Sequence, residues 1–260
     1  MFASDYFRYI ARGLSLALAV SLVTLLGACS SLSTRSGERT SREWYEEGQR
    51  QLEKKRYSGA IEAFNEAATL YRDASLDADI QLALGEAYFR SQDYEAAIES
   101  YREFLRLHPR NRHSDKAQFQ IGKAYFQQMR SPDRSQEATR MAVEAFEKVI
   151  RNYPRSEYAG DAREKIVVCR RRLAEHELDV GRYYMRTNSF SAALTRFDTL
   201  YHDYGDLGYG DDALYYLGLC YLSLKNEKKA QEVWERLMED FPHSSYLKKV
   251  RKRMKKMGRG

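Results

Sequence analysis

Residues 84–109 read LGEAYFRSQDYEAAIESYREFLRLHP, and their spacing decides the fold. Leu84, Gly85 and Tyr88 fall at the three- and four-residue intervals of one helix face. After Gln92-Asp93 the period restarts with Tyr94, Ala97 and Tyr101. Pro109 closes the second run, because proline lacks the N–H that a helix needs and its ring clashes with the preceding turn. The stretch therefore predicts two helices joined by a short turn. Glycine and alanine stand where the helices cross closely, and aromatic rings fill the space beside the crossing.

The same pattern recurs along the chain. Gly48, Gly85, Gly122, Gly181 and Gly218 each open a copy. The first continues with Tyr57, Ala60 and Phe64, the fourth with Tyr184, Phe190, Ala193 and Phe197, and the fifth with Tyr221, Ala230, Trp234 and Pro242. This is the tetratricopeptide pattern of stacked helix pairs. The predicted fold is all-α, a tetratricopeptide-repeat superhelix (α-solenoid) of about five helix pairs. The third copy is longer: Gly122 and Ala142 are 20 residues apart, against 12 between Gly85 and Ala97. The surplus falls around Gln128 to Ala138, a polar stretch with Pro132, and lengthens the loop between the paired helices. From Tyr158 to Met185 there is no proline, which predicts one long helix starting after Pro154 and running into the fourth pair.

Arg8 and Arg12 precede an apolar stretch from Leu14 to Leu26, which is too short to span a bilayer comfortably and is followed by Gly27-Ala28-Cys29. The sequence resembles a bacterial lipoprotein signal, in which Cys29 is lipidated and becomes the first residue. Ser30 stands where such proteins carry aspartate when retained in the inner membrane. The expected localisation is the outer membrane, lipid-anchored and facing the periplasm; the alternative is an ordinary secreted protein in which Cys29 is incidental. Residues 1–28 are then signal peptide and 29–41 a serine- and threonine-rich tether. Repeats one to three occupy 42–154, the long helix with repeats four and five 155–247, and a basic tail 248–260. Thr40 and Glu43 have capping-box spacing at the first helix.

Of 260 residues 31% are charged, and the net charge is +6. With a mean hydropathy of −0.68, the body is soluble. Apart from Cys29, Cys169 and Cys220 fall within helical patterns and are expected to be free, buried thiols. The histidines form no two-histidine zinc motif, and there is no glycine-rich phosphate loop or serine nucleophile elbow. The chain is expected to be no enzyme, to use no cofactor and to hold no metal.

First helices of a solenoid line its concave face. Positions three before, one after and four after each repeat glycine are expected to point into the groove. These are Tyr45, Gln49 and Leu52; Leu82, Glu86 and Phe89; and Phe119, Lys123 and Phe126. Apolar residues flank a polar one in each set, which suits alternate side chains of an extended peptide. Lys116 and Lys123 are placed to receive its carboxylate. The same positions also fit packing against neighbouring helices or the long helix.

The stretch from Asp133-Arg134 through Arg151-Asn152-Tyr153-Pro154-Arg155-Ser156-Glu157-Tyr158-Ala159 to Arg172-Leu173-Ala174-Glu175-His176-Glu177 resembles the BamD lipoproteins of the outer-membrane β-barrel assembly machinery. Tyr183-Tyr184 and Ala193-Leu194-Thr195-Arg196-Phe197 continue the likeness. The resemblance implies a C-terminal half that binds the periplasmic POTRA region of the barrel subunit BamA. It implies an N-terminal half that engages unfolded outer-membrane proteins through their C-terminal β-signal. It further implies that Arg196 contacts the barrel subunit, against the alternative of a solvated arginine. Other assembly lipoproteins are additional expected partners; the membrane is met through the lipid anchor, and nucleic acid is not a partner. Rival readings are a pilotin-type lipoprotein assisting a secretin or pilus, and a scaffold activating peptidoglycan synthesis. The resemblance does not extend to the basic stretch from Lys248 to Lys256, for which lipid headgroups, an acidic partner face and a solvated helix end all stay open.

Overall fold

The computed structural model describes residues 39–70 and 76–257. Cys29, the signal at 1–28 and most of the tether at 29–41 lie outside the described residues. The elements are α1 (Ser41–Glu53), α2 (Tyr57–Thr69), α3 (Asp77–Arg90), α4 (Tyr94–Leu107), α5 (Ser114–Gln127) and α6 (Glu137–Asn152). They continue as α7 (Tyr158–Arg186), α8 (Phe190–Tyr204), a 3-10 turn at Gly205–Leu207, α9 (Gly210–Ser223), α10 (Glu227–Asp240) and α11 (Leu247–Met257). Each helix packs on its neighbours in sequence, as a solenoid requires.

One device builds every pair. The repeat glycine of the first helix faces an aromatic ring on the second: Gly48 against Phe64, Gly85 against Tyr101, Gly122 against Phe146, Gly181 against Phe197 and Gly218 against Trp234. All five rings are 2% exposed or less. A Cβ at Gly85 would lie only 2.5 Å from the Tyr101 ring, so the crossing requires glycine. Between most paired helices the turn carries one non-glycine residue in the left-handed region: Lys55, Gln92, Asn188 and Lys225, with φ between 58° and 67°. The third pair replaces that turn with the predicted longer loop.

Thr40 and Glu43 form the predicted capping box of α1, Glu43 N–H donating to Thr40 Oγ1 at 3.2 Å and Thr40 N–H to the Glu43 carboxylate at 2.7 Å. The Thr40 N–H and, at 3.1 Å, the Thr40 hydroxyl donate to the Glu43 carboxylate and hold it below its ordinary pKa. Helices α4, α6 and α10 stop one or two residues before Pro109, Pro154 and Pro242. The long helix is α7, of 29 residues. Its first half packs on α6 and its second half pairs with α8. Cys169 and Cys220 are free and buried, and burial pushes each thiol up to about 12. Most of the basic stretch at 248–260 falls on α11, a helix docked through the fully buried Val250.

Candidate peptide and partner surfaces

The first helices α1, α3 and α5 carry the ten positions expected to form a groove. Leu52 and Phe119 are core residues, 7% and 5% exposed. Leu52 joins the cluster around Phe64, and Phe119 lies between Phe146 and Tyr158, with ring centroids at 5.5 and 5.0 Å. The other apolar members, Tyr45, Leu82, Phe89 and Phe126, are half-buried, as are Gln49, Glu86 and Lys123, and Lys116 is exposed. The half-buried positions thus form a narrower strip along α1, α3 and α5 than the spacing suggests.

The structure links this strip across repeats. Tyr45 packs on Phe64 with centroids 5.7 Å apart, and its hydroxyl accepts from Gln49 Nε2 at 2.9 Å. Burial raises the Tyr45 pKa. Glu86 accepts from Arg90 Nε at 2.6 Å. Phe89 meets Tyr94 edge-on at 5.5 Å, and Lys123 Nζ of the next repeat lies 5.1 Å from the Phe89 centroid. At the far end Lys165 of α7 sits over Phe126 at 4.6 Å. The strip therefore ends against the long helix, whose contributions Tyr158 and Lys165 the repeat register alone does not reveal. Its chemistry is that of an amphipathic shelf: ring faces and one leucine, interrupted by a carboxylate, an amide and an ammonium group.

The lengthened loop is pinned to α7. Gln136, 2% exposed, donates through Nε2 to the carbonyls of Ser131 and Arg134 at 2.8 and 3.0 Å, and accepts from Thr139 Oγ1 at 2.9 Å. His176 on α7 hydrogen-bonds the Pro132 carbonyl through Nδ1, and Cys169 Sγ lies 3.5 Å from Met129 Sδ. This is a structural role for His176. Farther along, Arg170 donates to both Asp206 carboxylate oxygens at 2.9 Å and to the Asp203 carbonyl at 2.7 Å. The long helix is thereby tied to the repeats on both sides.

Arg196 lies on α8, beside buried Phe197. Its Nη1 donates to Glu177 of α7 at 3.2 and 3.4 Å. The Glu177 side chain is 14% exposed and that of Arg196 40%. Among the described residues, Arg196 Nε and Nη2 have no hydrogen-bond partner, so part of its planar fork stays open to a carboxylate from outside. Nearby, Arg182 Nε donates to Tyr216 at 3.0 Å, and Tyr216 stacks on Phe197 at 5.0 Å.

Among the described residues no cluster of histidine, cysteine and acidic side chains is arranged to hold a metal, and no helix is long and apolar enough to cross a membrane.

Comparison with known proteins adds what geometry does not carry. The family model YfiO, described as "Outer membrane lipoprotein", matches residues 37–237. "Outer membrane protein assembly factor BamD" of Neisseria meningitidis serogroup B is 33% identical over 116 residues, 45% of this chain and 43% of that protein. The chain thus spans less than half the length of that curated relative. The protein of the same name from Vibrio cholerae is 29% identical over 194 residues, 71% of this chain and 80% of the relative. Among solved structures, the TPR2AB domain of yeast Sti1 in complex with pHSP90 is similar at 15% identity, covering 78% of each chain, with a TM-score of 0.44.

Proposed function

The chain belongs to the YfiO family of outer membrane lipoproteins, and on that premise we propose that it is an assembly factor for outer-membrane proteins, working by binding alone. The observation that carries this reading is the extent of the family match, which takes in all five helix pairs up to the last turn of α10. In this reading Cys29 is lipidated and anchors the chain in the outer membrane, facing the periplasm. Several acyl chains, at about 0.8 kcal/mol per buried methylene, make such an anchor effectively permanent.

The two halves then have separate partners. The C-terminal half scaffolds the barrel subunit BamA through its POTRA region, with Arg196 offering Nε and Nη2 to a partner carboxylate while Glu177 holds Nη1. The strip of Tyr45, Leu82, Phe89 and Phe126 receives the C-terminal β-signal of unfolded outer-membrane proteins. An extended strand sends alternate side chains to one side, and ring faces separated by Gln49, Glu86 and Lys123 fit that alternation. Lys116 and Lys123 supply positive charge for the terminal carboxylate. Other assembly lipoproteins join through the remaining surface.

The test is a pull-down with the chain beginning at Ser30, compared with its Arg196→Glu variant. Recovery of BamA by the first and loss with the second supports both partner and contact. Recovery by both keeps the assembly role and removes Arg196 from the interface. Capture of a secretin subunit in place of BamA replaces the reading with a pilotin role.

A further inference from the structure

Helix α11 carries Lys248, Lys249, Arg251, Lys252, Arg253, Lys255 and Lys256, all exposed, and no acidic residue. Among the described residues no carboxylate lies within 4.0 Å of any of them; Lys249 alone has a partner, resting over the rings of Tyr215 and Tyr246 at 5.8 and 5.3 Å. Elsewhere the surface arginines and lysines commonly pair within their own helix, as Arg50 does with Glu47, Arg106 with Glu103 and Lys148 with Glu144. On α11 the three- and four-residue spacings bring together cations only, such as Lys248 with Lys252 and Lys252 with Lys256. Like charges at those spacings oppose helix formation. The helix dipole favours cations at the C-terminal end only, and Lys248 and Lys249 stand at the other end.

The apolar side of α11 is already used. Val250 is fully buried, and Leu247, Met254 and Met257 pack on the last core cluster with Tyr246. The helix cannot therefore insert an apolar face into a bilayer while docked. Nor does its outer face offer the apolar centre that protein interfaces use, for those centres are depleted of charge and of lysine in particular. What remains is a dense, mostly lysine surface, suited to many point-like anions spread over a plane rather than to a few oriented carboxylates. The family match ends at residue 237, before α11 begins.

We infer that the outer face of α11 is a docking surface for anionic phospholipid headgroups. In the order of the stack α11 lies at the opposite end from α1, next to which the N-terminal segment begins. This is an electrostatic membrane contact at the C-terminal end of the helical stack, additional to the lipid anchor of the proposed function. This stands on α11 alone and does not depend on the proposed assembly role.

The test uses the chain beginning at Ser30, which keeps every described residue and lacks the lipid. Sedimentation with phosphatidylcholine vesicles containing rising fractions of phosphatidylglycerol should show binding that grows with the anionic fraction and falls with added salt. Each charge within reach of the surface is worth about fivefold in partition. Lys252→Gln, Lys255→Gln and Lys256→Gln together should lower partition on the order of a hundredfold, with an unchanged helical spectrum. The same three positions changed to arginine should keep it. As a control for net charge, Lys54→Gln, Lys55→Gln and Arg56→Gln, in the turn after α1, should leave it unchanged. Binding that ignores the anionic fraction overturns the proposal. So does an equal loss in the control, or tight capture of an acidic protein with no vesicle binding.

Discussion

The ring of Tyr246 stacks on that of Tyr215, with centroids 4.1 Å apart and planes 13° from parallel. Two residues earlier Ser244 Oγ donates to Asp211 at 2.7 Å and accepts from the Tyr246 N–H at 3.1 Å. The same clamp seats the long helix: Tyr158 stacks on Phe119, while Ser156 donates to Asp115 at 2.7 Å and accepts from the Tyr158 N–H at 3.1 Å. Pro154-Arg155-Ser156-Glu157-Tyr158 and Pro242-His243-Ser244-Ser245-Tyr246 are thus one turn used twice. Tyr246→Ala should unseat α11 and lower stability by roughly 2–3 kcal/mol, at the low end for an aromatic truncation because the ring is only half-buried. Tyr246→Phe keeps the stack and loses the 2.6 Å hydrogen bond to Asp212, at about 1 kcal/mol. Urea unfolding of the two variants separates the terms; equal losses would show that stacking contributes nothing.

The glycines divide into two kinds. Gly85 faces the Tyr101 ring, whereas Gly160 on α7 has nothing within 4 Å of where a Cβ would go. Gly85→Ala should destabilise by about 1–3 kcal/mol through overpacking. Gly160→Ala should stabilise by about 0.5–1 kcal/mol, since alanine is the better helix former at an exposed position. Thermal unfolding should move in opposite directions for the two.

These crossings explain why the fold is legible in the sequence. A close approach forces glycine opposite a ring, and that requirement repeats at the spacing of the units, so Gly48, Gly85, Gly181 and Gly218 announce both helices of each pair. The site is less legible. Leu52 holds the same register as Phe89 and Phe126, and Phe119 the same register as Tyr45 and Leu82, yet Leu52 and Phe119 are buried. Phe119 is covered by Tyr158, from a helix whose path the repeat pattern does not specify. At the C-terminus, Leu247, Val250, Met254 and Met257 keep helical spacing, but the cations between them hide it.

That difference in burial predicts different consequences for two aromatic rings on first helices. Phe119→Ala should cost roughly 3–4 kcal/mol of stability, as a core truncation does. Phe89→Ala should cost nearer 1–2 kcal/mol, because its ring is already half in solvent. If the strip takes a β-signal, Phe89→Ala should also weaken binding of a peptide ending in an aromatic residue and a free carboxylate, read by fluorescence anisotropy. Unchanged peptide affinity would move the client site elsewhere.

The buried thiols set a pH limit. Cys169 and Cys220 titrate near 12 in the folded chain because burial disfavours the thiolate, against a reference value of 9.0. At pH 7 both states carry the thiol, so their contribution is fully present. Above about pH 9 the unfolded chain loses these protons and the folded chain keeps them, so stability falls as pH rises from 9 towards 12. Tyr101 and Tyr246, whose pKa values burial also raises, act in the same direction above pH 10. Urea midpoints measured across this range should decline, and the decline should be shallower for Cys169→Ala with Cys220→Ala. Both thiols should also resist alkylation until the chain unfolds; prompt labelling of native protein would contradict their burial.

Arg196 allows stability and binding to be separated. Its pair with Glu177 is 40% exposed on the arginine side, and such pairs contribute between about 0 and 1 kcal/mol. Arg196→Ala should therefore shift the urea midpoint by no more than that amount. If its open Nε and Nη2 meet a carboxylate of BamA, the same change should weaken capture by tenfold or more, since two directed charge-assisted hydrogen bonds disappear together. Arg196→Lys should not restore capture, because an ammonium group cannot hold Glu177 and a bidentate partner in one plane. Glu177→Gln tests the orienting half of the arrangement: it leaves the guanidinium in place but holds it less firmly, so capture should fall by less than with Arg196→Ala. A large loss of stability in Arg196→Ala, with capture by the remaining folded protein unchanged, would make the pair a structural tie and nothing more.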